Sequence, residues 1–164
     1  LVISDVAVIP LPDFKQKMKQ IGYLSATASL LGITTPKIAC IAPSEQVLPN
    51  VISSTEGALL AKMGDRGQLG NVIIDGPLSL DVALYKEVAE HKKVKGSSVA
   101  GDPDCLLFPN LESANVFFKC ASHLCGGELA AMVMGTKVPC VLTSRGDTSL
   151  TKLYSIALAC LAAK

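Results

Sequence analysis

Apolar residues along this chain fall into two alternating patterns. Short continuous runs at residues 2–9, 37–42, 71–75 and 105–108 are each followed by a stretch with apolar positions every three or four residues. The short runs predict strands and the periodic stretches predict helices. Pro12-Asp13 opens the first helix, and Gly32 stops it after Leu31. Ser53-Ser54-Thr55-Glu56 is a capping signal for a second helix, running to about Gln68. Gly76-Pro77 ends the third strand in a turn. Leu80, Leu84 and Val88 stack on one helix that ends in His91-Lys92-Lys93. Leu111, Ala114, Phe118, Ala121 and Cys125 form the inner stripe of the next, which ends at Gly126-Gly127. Two more strands, 130–134 and 138–143, are split by Gly135-Thr136-Lys137, and a last helix runs from about Ser149 to Ala163.

Strands alternating with helices predict an α/β fold with a mostly parallel sheet, and unbroken apolar strands predict burial on both faces. The expected architecture is therefore a three-layer α/β/α sandwich. In the last helix Leu150, Leu153, Tyr154, Ala157, Leu158 and Leu161 form the inner stripe, while Ile156, Ala159, Cys160, Ala162 and Ala163 make most of the remainder apolar as well. Such a helix needs burial on two sides. One side is assigned to the sheet, the other to sequence outside this chain or to a second subunit. A strand at the very start, with no Met, suggests an upstream part.

The 164 residues suit one domain, at 49% hydrophobic and 18% charged. A mean hydropathy of +0.43 excludes a disordered chain. Net charge is +1 and aromatics are 4%, with no basic tail, which argues against nucleic acid as a ligand. Every apolar stretch is interrupted well short of the roughly 20 residues of a membrane span. Cys40, Cys105, Cys120, Cys125, Cys140 and Cys160 include no Cys-x-x-Cys pair. All six are read as buried thiols of a reducing cytoplasm, ahead of disulfides or a metal site. Cys120 and Cys125, five apart on a helix, are expected on different faces. His91 and His123 have no metal-ligand spacing.

In an open parallel sheet, ligands bind at the carboxyl ends of the strands, so the chemistry is sought in the loops that follow them. These are Pro43-Ser44-Glu45, Asp75-Gly76-Pro77-Leu78-Ser79, Pro109-Asn110-Leu111-Glu112, and the run from Thr143 to Ser149. The last loop is the richest: it offers the Ser144 hydroxyl, the Arg145 guanidinium and the Asp147 carboxylate before a helix N-terminus. Arg145 suits a two-pronged grip on phosphate, and backbone N–H groups there favour an anion. The plainer reading is a turn with capping by Asp147, Thr148 or Ser149. Glu112, Asn115, Lys119 and Ser122 share one helix side, either as a solvated face or, for Asn115 and Lys119, as anion or amide contacts. Lys92, Lys93 and Lys95 are a solvated helix end or a means of steering a polyanion. Asp102-Pro103-Asp104 reads as a turn.

Several of these runs resemble the phosphate acetyl/butyryl transferase family. The similarity is carried by Asp75-Gly76-Pro77-Leu78-Ser79-Leu80-Asp81, by Val99-Ala100-Gly101-Asp102-Pro103-Asp104 and by Pro109-Asn110-Leu111-Glu112-Ser113-Ala114-Asn115 with Lys119. Gly135-Thr136-Lys137-Val138-Pro139 leading to Thr143-Ser144-Arg145 continues it. Ala61-Lys62-Met63-Gly64-Asp65-Arg66-Gly67-Gln68 is similar to the butyryltransferase branch. The resemblance covers nearly the whole chain in order.

It implies an enzyme that moves an acetyl- or butyryl-type group between coenzyme A and inorganic phosphate, through an acyl phosphate. It implies an architecture like isocitrate and isopropylmalate dehydrogenases, with residues 1–141 as the second, cleft-forming domain and 142–164 as an active-site loop and helix returning to a largely absent first domain. This part alone is expected to be inactive. Ser144, Arg145 and Asp147 are the implied catalytic residues; Gly146, Asn115, Lys119, Gly76 and Pro77 are the implied phosphate and coenzyme A contacts. No metal and no tightly bound cofactor are expected, with coenzyme A as a substrate. A cytoplasmic homodimer or higher homo-oligomer, with neither nucleic acid nor membrane as partner, completes the expectation. Asn110, Ala114 and Thr151 depart from the family pattern. The alternatives are a catalytically impaired acyl-CoA/phosphate-binding domain of the same fold, and a decarboxylating dehydrogenase relative.

Overall fold

The computed structural model describes residues 1–163 and divides into two compact units, 1–115 and 116–164. In the first unit β1 (Val2–Ser4), α1 (Phe14–Leu30), β2 (Lys37–Ile41), α2 (Ile52–Asp65), β3 (Ile73–Leu78), α3 (Leu80–Leu84), α4 (Lys86–His91) and β4 (Cys105–Leu107) follow one another. The strands make one parallel sheet in the order β1-β4-β2-β3. Ile21, Leu24 and Ala28 of α1 and Leu60 of α2 pack with Ile38, Cys40, Ile74, Cys105 and Leu107 on one sheet face. The alternate residues Ala39 and Leu106 are fully buried on the other face, where α3 adds Val82 and Ala83. Helix α5 (Leu111–Lys119) crosses the boundary between the units. A π-helix (Cys120–Leu124), an isolated antiparallel bridge between Val133 and Cys140, and α6 (Ser149–Ala162) make up the rest of the second unit.

Several expectations are corrected. The first strand stops at Ser4 because the Asp5 carboxylate takes the N–H groups of Ala7, Val8 and Ile9 at 2.7–3.0 Å, diverting that backbone from a ladder. Gly76-Pro77 makes no turn; β3 runs through it with a cis peptide bond. A Cβ on Gly76 would stand 2.6 Å from that of Cys40, so the chains touch where the β2–β3 register shifts. The single helix expected over Leu80–Val88 is two short ones, broken where Tyr85 is extended at φ −122°. The capping run opens no helix as a cap. Instead the buried Ser54 hydroxyl accepts from the Leu48 N–H and donates to the Gln46 carbonyl, pinning the incoming loop.

Of the two extra strands expected after 130, only the Val133–Cys140 bridge forms; Gly135 and Pro139 lie between and beside its partners. Only Cys40 and Cys105 are buried; Cys120 is half-buried, and Cys125, Cys140 and Cys160 are exposed. In α6 the buried residue is Ser155, whose hydroxyl donates to Thr151 O and accepts from the Ala131 N–H. Leu150, Leu153, Ile156 and Leu161 are exposed, because the neighbouring residues of that unit offer no surface to cover them.

Candidate active site

The carboxyl ends of the four parallel strands lie along one sheet edge. Between those of β2 and β4 opens a small, water-sized crevice, lined among others by Lys17, Cys40, Ser53, Glu56, Phe108 and Pro109. Lys17 reaches it from the buried face of α1 and forms an ion pair and hydrogen bond with Glu56 of α2. Its signal in the sequence is its place on the stripe that continues through Ile21, Leu24 and Ala28. Burial pushes the Cys40 thiol up to about 12; the Asp75 carboxylate adds to this and the Lys17 ammonium opposes it. Cys105 is raised to about 12, chiefly by burial with help from Asp104. Neither thiol serves as a nucleophile near neutral pH.

A second charged group sits at the same edge. Lys92 Nζ lies 3.0 Å from Asp81 Oδ2 and 3.6 Å from Glu45 Oε2, and donates to Ser79 Oγ at 3.3 Å. The Ser79 hydroxyl and then Lys92 hold the Asp81 carboxyl down at about 2. Lys92 is thus committed to tying the loops after β2 and β3 together, and it does not project as a free polyanion-steering charge. Asp102 and Asp104 are at the opposite edge. Asp102 pairs with Lys37 Nζ at 2.6 Å, and Asp104 accepts from the Lys37 N–H at 2.8 Å, anchoring the start of β2. Among the described residues no group of three or more His, Cys, Asp or Glu side chains is arranged to hold a metal ion.

Of the residues singled out from the sequence, Gly76, Pro77 and Asn115 fall in the first unit. Pro77 is buried and packs on Gly57 of α2, so its part is to shape the strand. Gly76 is half-buried, and its N–H is taken by Asp75 Oδ1 at 2.8 Å. Asn115 donates from Nδ2 to the Val6 carbonyl at 2.9 Å, holding the loop after β1. The departure at 110 has a local explanation. Asn110 caps α5, accepting from the Ser113 N–H at 2.9 Å, a task Asn and Asp perform equally well. Ala114 is fully buried.

Lys119, Ser144, Arg145, Gly146 and Asp147 fall in the second unit. Lys119 Nζ lies over the Phe118 ring, 4.9 Å from its centre. Asp147 Oδ2 accepts from the Ser144 N–H at 2.7 Å, and the Asp147 N–H returns to the Ser144 carbonyl at 3.1 Å. The Ser144 hydroxyl accepts from the Gly146 N–H at 3.4 Å. Thr148, not Asp147, caps α6 by accepting from the Thr151 N–H at 3.1 Å. The loop is therefore closed by its own serine and carboxylate. Arg145 stands exposed, with no ion pair among the described residues. An exposed guanidinium suits binding an oxyanion.

The family model described as "Phosphate acetyl/butaryl transferase" matches residues 1–160. The chain belongs to this family. Over 163 residues it is 44% identical to the phosphate butyryltransferase of Clostridium beijerinckii, covering 99% of this chain and 54% of that protein. Over 158 residues it is 40% identical to the phosphate acetyltransferase of Thermotoga maritima, covering 96% and 53%. Among solved structures, a branched-chain phosphotransacylase from Enterococcus faecalis V583 matches with a TM-score of 0.88 at 30% identity, over 97% of this chain and 56% of that one. The α/β fold and the family expected from the sequence are both borne out. The chain spans about half the length of the curated relatives it matches.

Proposed function

We propose that the full-length protein is a phosphate acyltransferase, moving an acetyl- or butyryl-type group between coenzyme A and inorganic phosphate. The observation that carries this reading is the family match across residues 1–160, with relatives named for both activities. In the proposed reaction the coenzyme A thiolate attacks the carbonyl of an acyl phosphate and phosphate leaves; the reverse direction makes the acyl phosphate. Arg145 grips the phosphate, with Gly146 backbone beside it. The Ser144 hydroxyl meets charge that develops in the transition state, and the Asp147 carboxylate assists deprotonation of the thiol. Asn115, Lys119, Gly76 and Pro77 act as phosphate and coenzyme A contacts or as the frame that shapes them. No covalent enzyme intermediate is needed, and coenzyme A enters as a substrate.

In the same reading residues 1–141 form the second domain and 142–164 return to a first domain, whose surface would cover the exposed leucines of α6. A cytoplasmic homodimer or higher homo-oligomer is the proposed state. Among the described residues no helix is long and apolar enough to cross a membrane. The test is thiol release by the full-length protein from acetyl- or butyryl-CoA, with and without inorganic phosphate. Phosphate-dependent release with equal acyl phosphate formed supports the proposal. Acyl-CoA binding without release would instead establish a binding domain.

A further inference from the structure

Residues five apart on an α-helix lie about 140° around its axis, at about 100° per residue. That spacing is why Cys120 and Cys125 were expected on different faces. The chain does not follow an α-helix there. Residues Cys120–Leu124 form a π-helix, and the Cys125 N–H donates back to the Cys120 carbonyl at 3.1 Å. This wider turn carries Cys125 round to stand one turn beyond Cys120, on the same side. Cys120 is half-buried, Cys125 is exposed, and both are free thiols. Gly126, at φ +66°, follows, and the Gly127 N–H donates to the Ala121 carbonyl at 2.8 Å, so the helix ends just after Cys125.

We infer that Cys120 and Cys125 form a dithiol site that chelates a soft, thiophilic ligand, with trivalent arsenicals as its chemical type. Each sulfur bonds to arsenic, so two As–S bonds form. The bond from arsenic to the oxide oxygen breaks, that oxygen leaves as water with both thiol protons, and arsenic stays trivalent. The other thiols lack this arrangement. Cys140 sits on the bridge with Val133, and Cys160 on α6, neither with a second cysteine within a turn along the chain. Cys40 and Cys105 are buried in the sheet. The site stands apart from the acyl-transfer reading and does not depend on it.

The probe is phenylarsine oxide, added to the full-length protein in excess monothiol, with bound arsenic measured after gel filtration. Two-point attachment should hold it about 100-fold more tightly than one thiol. The wild type is expected to keep one arsenic per chain. Cys120→Ser and Cys125→Ser are each expected to lose about 100-fold in affinity, while Cys140→Ser and Cys160→Ser keep it. Circular dichroism of each variant checks that the fold is retained. No retention by the wild type, retention by either single variant at 120 or 125, or loss in the variant at 140 or 160 would each overturn the assignment.

Discussion

Removing Glu56 should destabilise this protein far more than a surface charge would. Its partner Lys17 has a side chain only 5% exposed, against 18% for Glu56 itself. Glu56→Leu leaves a buried ammonium without its carboxylate, which costs about 3–5 kcal/mol. Lys17→Met strands the better-solvated partner, and the lost charged hydrogen bond sets a smaller cost of about 1.5–3 kcal/mol. The double variant Lys17→Met/Glu56→Leu removes both charges from the crevice wall and should recover most of the loss, because an apolar pair of similar volume is often neutral or stabilising. Urea unfolding at pH 7, followed by circular dichroism, measures all three. With a slope of about 1–3 kcal/mol per molar urea, a 2 kcal/mol gap between the single variants moves the midpoint by about 1 M. Single-variant costs below about 1 kcal/mol, the range of exposed pairs, would refute the reasoning. So would a double variant whose cost is the sum of the two.

Other tests probe the sheet and its acidic edge. Gly76→Ala places a Cβ 2.6 Å from that of Cys40 and should cost at least about 1–3 kcal/mol in the same assay. Gly22→Ala, whose Cβ meets nothing within 4 Å on α1, should instead raise stability by about 1 kcal/mol. Asp81 has a folded-state value of about 2 against an ordinary 3.8, so its contribution is fully present above about pH 4 and is lost as pH falls through 2. Asp81→Asn should flatten the stability profile across that interval, by a modest amount because the group is exposed. An unchanged acid slope would show that Ser79 and Lys92 do not stabilise it.

The parts of the fold legible in the sequence are those where pattern and packing agree. Runs such as 37–42 and 105–108 are apolar on both faces because helices cover both, and β2 and β4 stand where the pattern puts them. The pattern fails where a polar side chain captures backbone. Asp5 ends β1 five residues early, and Ser54 spends its hydroxyl on a loop, not on its helix. It fails again where alternation has no sheet to join, as after residue 130. At the candidate site, Ser144 and Arg145 were visible as residue types in a strand-to-helix loop. The bond between Asp147 and the Ser144 N–H was not, because loop closure depends on backbone direction more than on composition. Lys17 and Lys92 were missed as edge residues because their partners lie 39 and 11 to 47 positions away, at Glu56, Asp81 and Glu45.

The most direct test of the proposed chemistry is steady-state kinetics of Arg145→Lys and Ser144→Ala in the full-length protein, with phosphate and acyl-CoA varied separately. Lysine keeps the charge but loses the two-pronged contact, which costs about 1.5–3 kcal/mol, or about 10- to 150-fold. Phosphate is charged throughout the reaction, so the KM for phosphate should rise along with a fall in kcat. Ser144→Ala should lower kcat with little change in either KM, since its hydroxyl meets charge that appears only in the transition state. An Arg145→Lys enzyme with wild-type affinity for phosphate would contradict the account, leaving the guanidinium to serve the fold or coenzyme A.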